Sequence, residues 1–397
     1  MAIYYPYLII GGGMTANAAI SGIRKRDKEG LIGLFSAERY PAYNRPPLSK
    51  KIWFDDRVEA IWCRVEGAPP GVHEHLATPI VSLDPLAHTV VDRWGTLWEY
   101  GKLLLAVGGS PRRLQGPDDG VRYYRTLDDY FSLYKALKPG TQVVLVGAGF
   151  IGSELAAVLA TKGHHVTMIF PEEHLLSTKF PRDLSKYIEQ TYRDHHVELV
   201  PQTTVAAVSR QGRGLSILTD DGKTYVGDVV LAGMGLEPNV DLALEARLAV
   251  DNGILVDQQL QTSASDVWAA GDVASFQLPF VAGRLRLEHE DNALMQGRTA
   301  GENMTGAGKA YTHLPFFYSD MFAFGYEAIG TIDSRLNIFA DWTTFGEEGV
   351  LYYLDGDKVV GVVNWNVWDR IPAARELITR VTTVSNPKEL KHRITSA

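Results

Sequence analysis

The chain has 397 residues, which is too many for a single hydrophobic core and predicts two or three domains. Its 45% hydrophobic and 22% charged residues are typical of a soluble globular protein, and a net charge of −8 with a pI of about 5.8 argues against a general nucleic-acid-binding surface. The single cysteine, Cys63, excludes an intrachain disulfide, a Cys-x-x-Cys redox pair and an iron–sulfur cluster held by cysteines of this chain.

The first 23 residues carry no charged side chain and are followed by Arg24, Lys25 and Arg26. A secretory signal has its positive charge before the apolar part, and a membrane span is not interrupted by three consecutive glycines. We therefore interpret this segment as the first strand and helix of a fold, not as a leader or an anchor. A cytoplasmic protein is the natural expectation.

A glycine-rich turn follows the apolar strand predicted at 7–10 and opens a helix predicted at about 14–26. Gly11 would make the tight turn, and Gly13 would let a pyrophosphate approach the backbone. Ala16 would let the helix pack closely, with its N-terminus directed at the anion. This arrangement is the dinucleotide-binding pattern.

The same pattern occurs a second time, after the apolar strand predicted at 143–146. Gly147, Gly149 and Gly152 take the three positions, and a helix is predicted at about 150–161. Two such turns predict two bound dinucleotides with electrons passing between them. The alternative, two tight turns without ligands, leaves the close spacing of the glycines unexplained.

An acidic residue lies just past the second strand of each of these units. Glu38 follows the strand predicted at 31–35, and Glu172 follows the strand predicted at 166–170. A carboxylate at this position usually accepts hydrogen bonds from the adenosine ribose hydroxyls and repels a 2′-phosphate. Glu172 therefore predicts NADH in preference to NADPH, whereas for Glu38 a plain surface glutamate is the alternative.

The remaining segments complete an α/β architecture of two Rossmann-like dinucleotide-binding domains, which the family resemblance given below assigns to FAD and NAD(P), and a C-terminal α+β domain with an antiparallel sheet. The predicted elements are a strand at 102–107, a hairpin turn at 220–222, a strand at 228–232, an alternating antiparallel region from 314, and a helix at 371–380. The predicted domains are 1–114 (first part of the FAD-binding domain), 115–237 (NAD-binding), 238–313 (second part of the FAD-binding domain) and 314–397 (C-terminal).

Several longer motifs resemble those of the flavoprotein family of ferredoxin reductases and apoptosis-inducing factors, and the resemblance covers nearly the whole chain. Arg-Pro-Pro-Leu-Ser-Lys at 45–50 resembles the flavin-side motif of that family, 265–272 its second FAD motif, and 147–155 its NAD loop. The stretches 288–306, 325–330 and 365–368 resemble the apoptosis-inducing factor branch in particular. We expect a prokaryote-type member of that branch, because the sequence shows neither a mitochondrial leader nor the long C-terminal insertion of the animal form.

The resemblance also implies which residues hold FAD. Asp272 is expected to accept from the ribityl hydroxyls, and its alternative role as the N-cap of a helix after 272 is compatible with this, because both use the same geometry. Arg45 and Arg112 are expected near the pyrophosphate or the isoalloxazine, with surface ion pairs as the alternative for each. The other positions that the resemblance assigns to the FAD site are Val81, Gly108, Glu288 and His289, the last with a structural role as its alternative.

Lys50 and Glu154 come from two different predicted domains, yet in the family they meet beside the flavin N5. A buried charge is costly unless it is paired, and the pair would orient the nicotinamide without forming a covalent intermediate. A simple interdomain salt bridge is the alternative. Phe150 would gate the nicotinamide, or else pack in the core. Tyr318 takes the place of the tryptophan that stacks on the nicotinamide in the family, and a tyrosine ring offers less stacking area.

Ile151 and Gly235 are the further positions that the resemblance assigns to NAD. The resemblance implies an FAD-dependent enzyme that accepts hydride from NADH and passes electrons to a separate 2Fe–2S ferredoxin, a quinone or oxygen. A slow redox sensor, in which NADH changes conformation or dimerisation, is the alternative. A homodimer is plausible by resemblance, and no metal site, nucleic acid or membrane span is predicted.

Overall fold

In the computed structural model the chain forms two compact units, and the structure describes residues 3–55, 57–64 and 69–394. The first unit comprises Met1–Pro46, Arg57–Ser110 and Glu237–Pro315. The second unit comprises Pro47–Asp56, Pro111–Leu236 and Phe316–Ala397. Each unit contains one of the two glycine-rich turns.

The first unit is built on a mainly parallel sheet whose central strands are buried and apolar. In spatial order its strands are Val72–His75, Ile32–Phe35, Ile3–Ile10, Leu97–Leu105, Thr89–Asp92 and Ile80–Asp84, with Val267–Ala269 also paired to Leu97–Leu105. Parallel pairing places the carboxyl ends of neighbouring strands together, because Ile10 is in register with Phe35 and with Leu105. The first glycine-rich turn follows directly at this edge of the sheet.

Two long helices of the first unit, Met14–Arg26 and Glu290–Met304, pack closely against each other. Gly301 permits this approach, because a Cβ atom at that position would lie 2.1 Å from the carbonyl oxygen of Ala19. The other elements with residues in this unit are the strands Gly109–Pro111, Leu236–Pro238, Val250–Asp251, Gly253–Leu255 and Ala274–Ser275, the short helix Asp241–Glu245, and the 3₁₀ turns Pro46–Ser49, Val58–Ile61 and Gly271–Val273.

The second unit contains a fully parallel sheet. Its strands, in spatial order, are Glu198–Val200, His165–Ile169, Gln142–Val146, Val229–Ala232 and Arg122–Tyr123. The helices of this segment are Leu127–Ala136, Phe150–Thr161 and Arg182–Asp194, and a separate antiparallel sheet consists of Val205–Gln211, Gly214–Thr219 and Thr224–Gly227. Phe150–Thr161 follows the central strand through the second glycine-rich turn.

The C-terminal part of the second unit is an antiparallel sheet. Its strands, in spatial order, are Phe316–Met321, Phe324–Gly330, Lys358–Trp365, Glu348–Asp355 and Asn337–Thr344. The helix Ile371–Thr379 and the 3₁₀ turns Lys51–Trp53 and Pro387–Leu390 complete the unit. The edge strand Phe316–Met321 also contacts the helix Phe150–Thr161.

The structure confirms the predicted α/β class with a C-terminal antiparallel sheet. The helices predicted at 14–26 and 150–161 have those bounds, but the strand predicted at 102–107 is the longer Leu97–Leu105. The predicted domain boundaries remain a prediction, because the compact units group 47–56 and the C-terminal part with the second nucleotide-binding segment. Within the described ranges, no helix is long and apolar enough to cross a membrane.

Candidate functional site

The first glycine-rich turn has the geometry of an anion cradle. Gly11 has a φ of +116°, and a Cβ atom there would lie 2.1 Å from the carbonyl oxygen of Ala106, so only glycine fits. Gly13 precedes the helix Met14–Arg26, and no side-chain hydrogen bond caps this N-terminus. The first-turn N–H groups are therefore available to a phosphate, which fits a dinucleotide.

The second turn repeats these features in the second unit. Gly147 has a φ of +102°, and a Cβ atom there would lie 2.5 Å from the carbonyl oxygen of Gly233. Gly149 precedes the helix Phe150–Thr161, again without a side-chain cap or an acidic residue in the first turn. Gly152 allows that turn to close, because its Cβ atom would lie 2.6 Å from the carbonyl oxygen of Gly147.

The first unit brings Glu38 and Arg45 together with Tyr43. Arg45 Nη2 lies 2.5 Å from Glu38 Oε1, and the Tyr43 hydroxyl donates to Glu38 Oε2 at 2.5 Å. The side chains of Arg45 and Glu38 are only 19% and 25% exposed, so this is not the surface ion pair considered from the sequence. A Cβ atom on Gly13 would lie 3.9 Å from Arg45 Nη2, which places the guanidinium beside the glycine-rich turn.

Asp272 lies within the buried 3₁₀ turn Gly271–Val273, where the chain leaves the sheet strand Val267–Ala269. Ala270, not Asp272, is the residue that precedes this turn, so the alternative role of Asp272 as a helix N-cap is wrong. The buried carboxylate just past a strand of the parallel part of the sheet suits a ligand with several hydroxyl groups.

The other FAD positions fall in varied environments. Val81 is 51% exposed on the strand Ile80–Asp84, and Gly108 has a φ of +64°. Glu288 forms an ion pair of 2.8 Å with Arg286, and His289 precedes the helix Glu290–Met304. Arg112 is exposed in the second unit, where its Nε donates to the carbonyl oxygen of Leu236 at 3.2 Å. Arg112 therefore belongs to a different unit from Arg45.

Lys50 and Glu154 meet inside the second unit. From the sequence we expect them to come from two different domains, whereas the division into compact units places both in the same one. Lys50 Nζ lies 3.2 Å from Glu154 Oε1, with side chains 13% and 5% exposed. Lys50 Nζ also lies 3.9 Å from the centre of the Tyr318 ring and 3.6 Å from Asp320 Oδ2. The ammonium group is thus surrounded by a buried carboxylate, a half-exposed carboxylate and an aromatic face.

Two serines complete the surroundings of Glu154. The Ser49 hydroxyl donates to Oε2 and the Ser319 hydroxyl donates to Oε1, each at 2.5 Å. Burial raises the pKa of Glu154, while the Lys50 charge and the two hydroxyls act in the opposite direction. Sequence reasoning missed both serines. Their only signal was adjacency, since Ser49 precedes Lys50 and Ser319 follows Tyr318.

The nicotinamide-side candidates share this unit. Phe150 is partly buried, with its ring centre 5.0 Å from that of Phe317, and Ile151 is 43% exposed. Glu172 Oε2 is buried, and no hydrogen-bond partner for it is found in the described part of the chain. Because such an oxygen is costly to bury unpaired, Glu172 fits a carboxylate that receives a ribose hydroxyl. Gly235 is exposed, with a φ of +84°.

Cys63 is partly buried and its thiol lies 3.4 Å from Asn44 Oδ1. Burial raises its pKa to about 11, so the thiol form dominates at neutral pH. Within the ranges that the structure describes, no cluster of three or more His, Cys, Asp and Glu side chains suits a metal ion.

Two dinucleotide turns with a buried lysine–glutamate pair beside the second define a nucleotide-dependent oxidoreductase. Known families agree with this class. Residues 5–297 match the family described as pyridine nucleotide-disulphide oxidoreductase, and 300–348 and 341–380 match the C-terminal family of apoptosis-inducing factor, mitochondrion-associated. The chain belongs to the pyridine nucleotide-disulphide oxidoreductase family. It is an FAD-dependent oxidoreductase whose cofactors are FAD and NAD.

Individual relatives cover almost the whole chain. Mitochondrial apoptosis-inducing factor 1 of Dictyostelium discoideum is 33% identical, over 98% of this chain and 81% of that protein. The ferredoxin–NAD(+) reductase component of the anthranilate 1,2-dioxygenase system of Burkholderia cepacia is 32% identical, over 97% and 96%. Among solved structures, the reductase of the covalent putidaredoxin reductase–putidaredoxin complex gives a TM-score of 0.90 with 27% identity and covers 99% of both chains.

Proposed function

We propose that this protein oxidises NADH and passes the electrons to a small iron–sulfur protein of the ferredoxin type. The observation that carries this proposal is the full-length similarity to a ferredoxin–NAD(+) reductase component, of which the chain covers 96%. The composition supports it as well. With one cysteine the chain has no intrachain disulfide to reduce, so electrons leave for an external acceptor.

The second unit supplies the NADH side of the proposed reaction. The N–H groups after Gly147 and Gly149 would bind the pyrophosphate, and the buried Glu172 oxygen would accept from the ribose. The same carboxylate would repel a 2′-phosphate, which makes NADH the preferred donor. Measuring kcat/KM for both nucleotides tests this preference, and a clear preference for NADPH would refute it.

Lys50, Glu154, Phe150 and Tyr318 would position the nicotinamide. The Tyr318 ring and the Lys50 ammonium already contact each other, at 3.9 Å, and Phe150 stands at the start of the helix that carries Glu154. When bound, FAD would supply the two-electron chemistry, and these residues would hold the nicotinamide in place for it. The buried pair keeps a fixed positive charge beside the nicotinamide site without providing a nucleophile.

Rapid-mixing kinetics test the acceptor. The FAD-loaded protein is first mixed with NADH without oxygen, and loss of flavin absorbance reports reduction. The reduced protein is then mixed, in separate runs, with a 2Fe–2S ferredoxin, a quinone or oxygen. Reoxidation fastest with ferredoxin is expected. Reoxidation by quinone or oxygen alone would contradict the proposed acceptor while leaving NADH oxidation intact.

The similarity to apoptosis-inducing factors favours a second candidate, an NADH-responsive redox sensor with slow turnover. It is supported by the match of residues 300–348 and 341–380 to the C-terminal family of those proteins. A reduced, NAD-bound protein that survives for minutes in air and changes its sedimentation with NADH would favour the sensor. Rapid turnover with a ferredoxin and unchanged sedimentation would favour the reductase.

A further inference from the structure

Both oxygens of the Glu154 carboxylate are held by serine hydroxyls from distant parts of the chain. Ser49 ends the 3₁₀ turn Pro46–Ser49, and Ser319 lies in the strand Phe316–Met321. The two serines are each 1% exposed and Glu154 is 4% exposed. Both O···O distances are 2.5 Å, within the range of hydrogen bonds from a hydroxyl to an ionised carboxylate.

A serine hydroxyl has a single proton to donate, and each of these two hydroxyls lies within hydrogen-bond distance of one oxygen of the same carboxylate. Protonating Glu154 would turn one of its oxygens into a donor and weaken that oxygen as an acceptor. Two hydroxyl donors therefore favour the ionised carboxylate specifically, against the burial that disfavours it. An apolar residue in place of either serine would leave one oxygen in a dry site without that donor.

The groups that face this carboxylate come from four elements. Lys50 is the cation, at 3.2 Å, and the half-exposed Asp320 lies 3.6 Å from the Lys50 ammonium. Tyr192 and Tyr326 are fully buried phenols on which the Glu154 charge acts, and burial keeps the pKa of each well above its usual value. Both phenols are therefore neutral at physiological pH. Lys50 and the two hydroxyls carry the stabilisation of the negative charge.

We propose that Ser49 and Ser319 are positioning residues that keep Glu154 ionised and oriented, and so set the acid limit of the NADH reaction. The kinetic part of this proposal rests on the proposed function. Once Glu154 is protonated, Lys50 loses its buried counter-charge, and its other contacts are Asp320, the carbonyl oxygen of Tyr318 at 3.4 Å and the Tyr318 ring at 3.9 Å. The ammonium would then move away from the helix that carries Glu154.

The test compares Ser49→Ala and Ser319→Ala with the wild type, using two readouts. The first is infrared spectroscopy of the FAD-loaded protein without NADH, following the carbonyl band of protonated Glu154 as the pH is lowered. The Glu154→Gln variant assigns that band, because it lacks the carboxyl group. The second readout is the pH dependence of flavin reduction by NADH.

Each alanine variant is expected to raise the midpoint of the Glu154 band by about one to two pH units, the shift that corresponds to losing a hydrogen bond to a charged group. The acid limb of the reduction rate should move by the same amount. Ser49→Thr and Ser319→Thr keep the hydroxyl and should return both midpoints toward the wild type. Flavin absorbance and circular dichroism confirm that each variant is folded.

Ser153→Ala is the matched control. Ser153 is also fully buried and adjoins Glu154, but its hydroxyl lies 3.3 Å from the carbonyl oxygen of Ala148 and not on the carboxylate. Its midpoints should equal those of the wild type. The proposal is overturned if the two alanine variants keep the wild-type midpoints, or if they lose rate equally at every pH, which is the mark of a merely structural role.

The two readouts separate this proposal from the function on which it rests. If NADH does not reduce the wild-type flavin, the proposed function fails, and the infrared midpoint still decides whether the serines hold Glu154 ionised. If NADH reduces the wild type and the serine variants show no shift in either readout, the function stands and the positioning role fails.

Discussion

Replacing Lys50 with alanine should destabilise the second unit, because it leaves the Glu154 carboxylate buried without its cation. The Lys50 ammonium and the carboxylate are 3.2 Å apart, and their side chains are 13% and 5% exposed. At an effective dielectric constant of about 20, this separation corresponds to an attraction of roughly 5 kcal/mol. The variant should lower the free energy of unfolding by less than this attraction. Burying the lysine in the wild type costs desolvation energy, and the alanine variant does not have that cost.

We expect a loss of about 3 kcal/mol near pH 8, at the lower end of the range for breaking a buried pair. The two serine hydroxyls still stabilise the carboxylate, which limits the loss. The sign of its pH dependence follows from the Glu154 pKa, which burial raises above its unfolded value. Protonation then favours the folded state as the pH falls, so the loss should shrink as the pH is lowered and be largest in alkaline solution.

Urea unfolding of the FAD-loaded protein, followed by circular dichroism, measures this loss as a shift in the transition midpoint. Lys51→Ala is the matched control, since Lys51 is the exposed neighbour, and a change within about 0.5 kcal/mol is expected. Bound FAD should be unaffected in Lys50→Ala, whereas reduction by NADH should slow. Combining Lys50→Ala with Glu154→Gln should recover most of the stability, because no unpaired charge remains.

Two results would refute this reasoning. If Lys50→Ala and Lys51→Ala shift the midpoint equally, the ion pair contributes nothing that an exposed lysine does not. If the double variant is as unstable as Lys50→Ala, the cause is lost packing of the lysine side chain and not an uncompensated carboxylate. Unchanged reduction by NADH would show that Lys50 is only structural.

Three further outcomes follow from single positions. Gly147→Ala should lower NADH affinity by about tenfold or more in calorimetry, because its φ of +102° and the nearby carbonyl oxygen strain any side chain. Gly140→Ala is the control, since Gly140 has a φ of +74° and open space around it, and it should leave NADH affinity unchanged. Equal losses of affinity in the two variants would contradict this prediction. Glu172→Ala should lower the ratio of kcat/KM for NADH to kcat/KM for NADPH by about tenfold. Glu173→Ala, at an exposed position, is the control. An unchanged ratio in Glu172→Ala would reject Glu172 as the residue that accepts from the ribose. Cys63, with its pKa raised to about 11, should react with iodoacetamide at neutral pH roughly two orders of magnitude more slowly than an ordinary thiol, and rapid labelling of the folded protein would disprove its burial.

Much of the fold could be predicted because local chemistry fixes it. The helix Met14–Arg26 begins where the glycine-rich turn ends, and its last turn carries three basic residues that suit a helix C-terminus. The strand Leu97–Leu105 was only half predicted, for a physical reason. Its first half alternates exposed and buried residues and pairs antiparallel with Thr89–Asp92, whereas it ends in three consecutive buried leucines, 103–105, in the parallel part of the sheet.

The candidate site likewise contains residues that the sequence indicates and residues that it does not. Gly11, Gly147 and Glu172 could be proposed as nucleotide-binding residues from the sequence, because each belongs to a contiguous strand–turn–helix–strand pattern. Ser49 and Ser319 could not, since they reach Glu154 across 105 and 165 positions of the chain. Such contacts depend on which strand forms the edge of the C-terminal sheet and on how it meets the helix, and no local periodicity encodes either.

The position of Glu154 is better explained by chemistry than by stability. A buried ion pair adds little net stability, because desolvating two charges offsets most of their attraction, and apolar residues of similar volume often fold as well. Here the chain supplies a lysine and two buried hydroxyls from separate elements to keep one carboxylate charged. A residue that only packed the helix against the edge strand would not need these donors. The arrangement makes sense where a fixed negative charge must hold an ammonium group at one place, beside the glycine-rich turn that we propose binds the nicotinamide nucleotide.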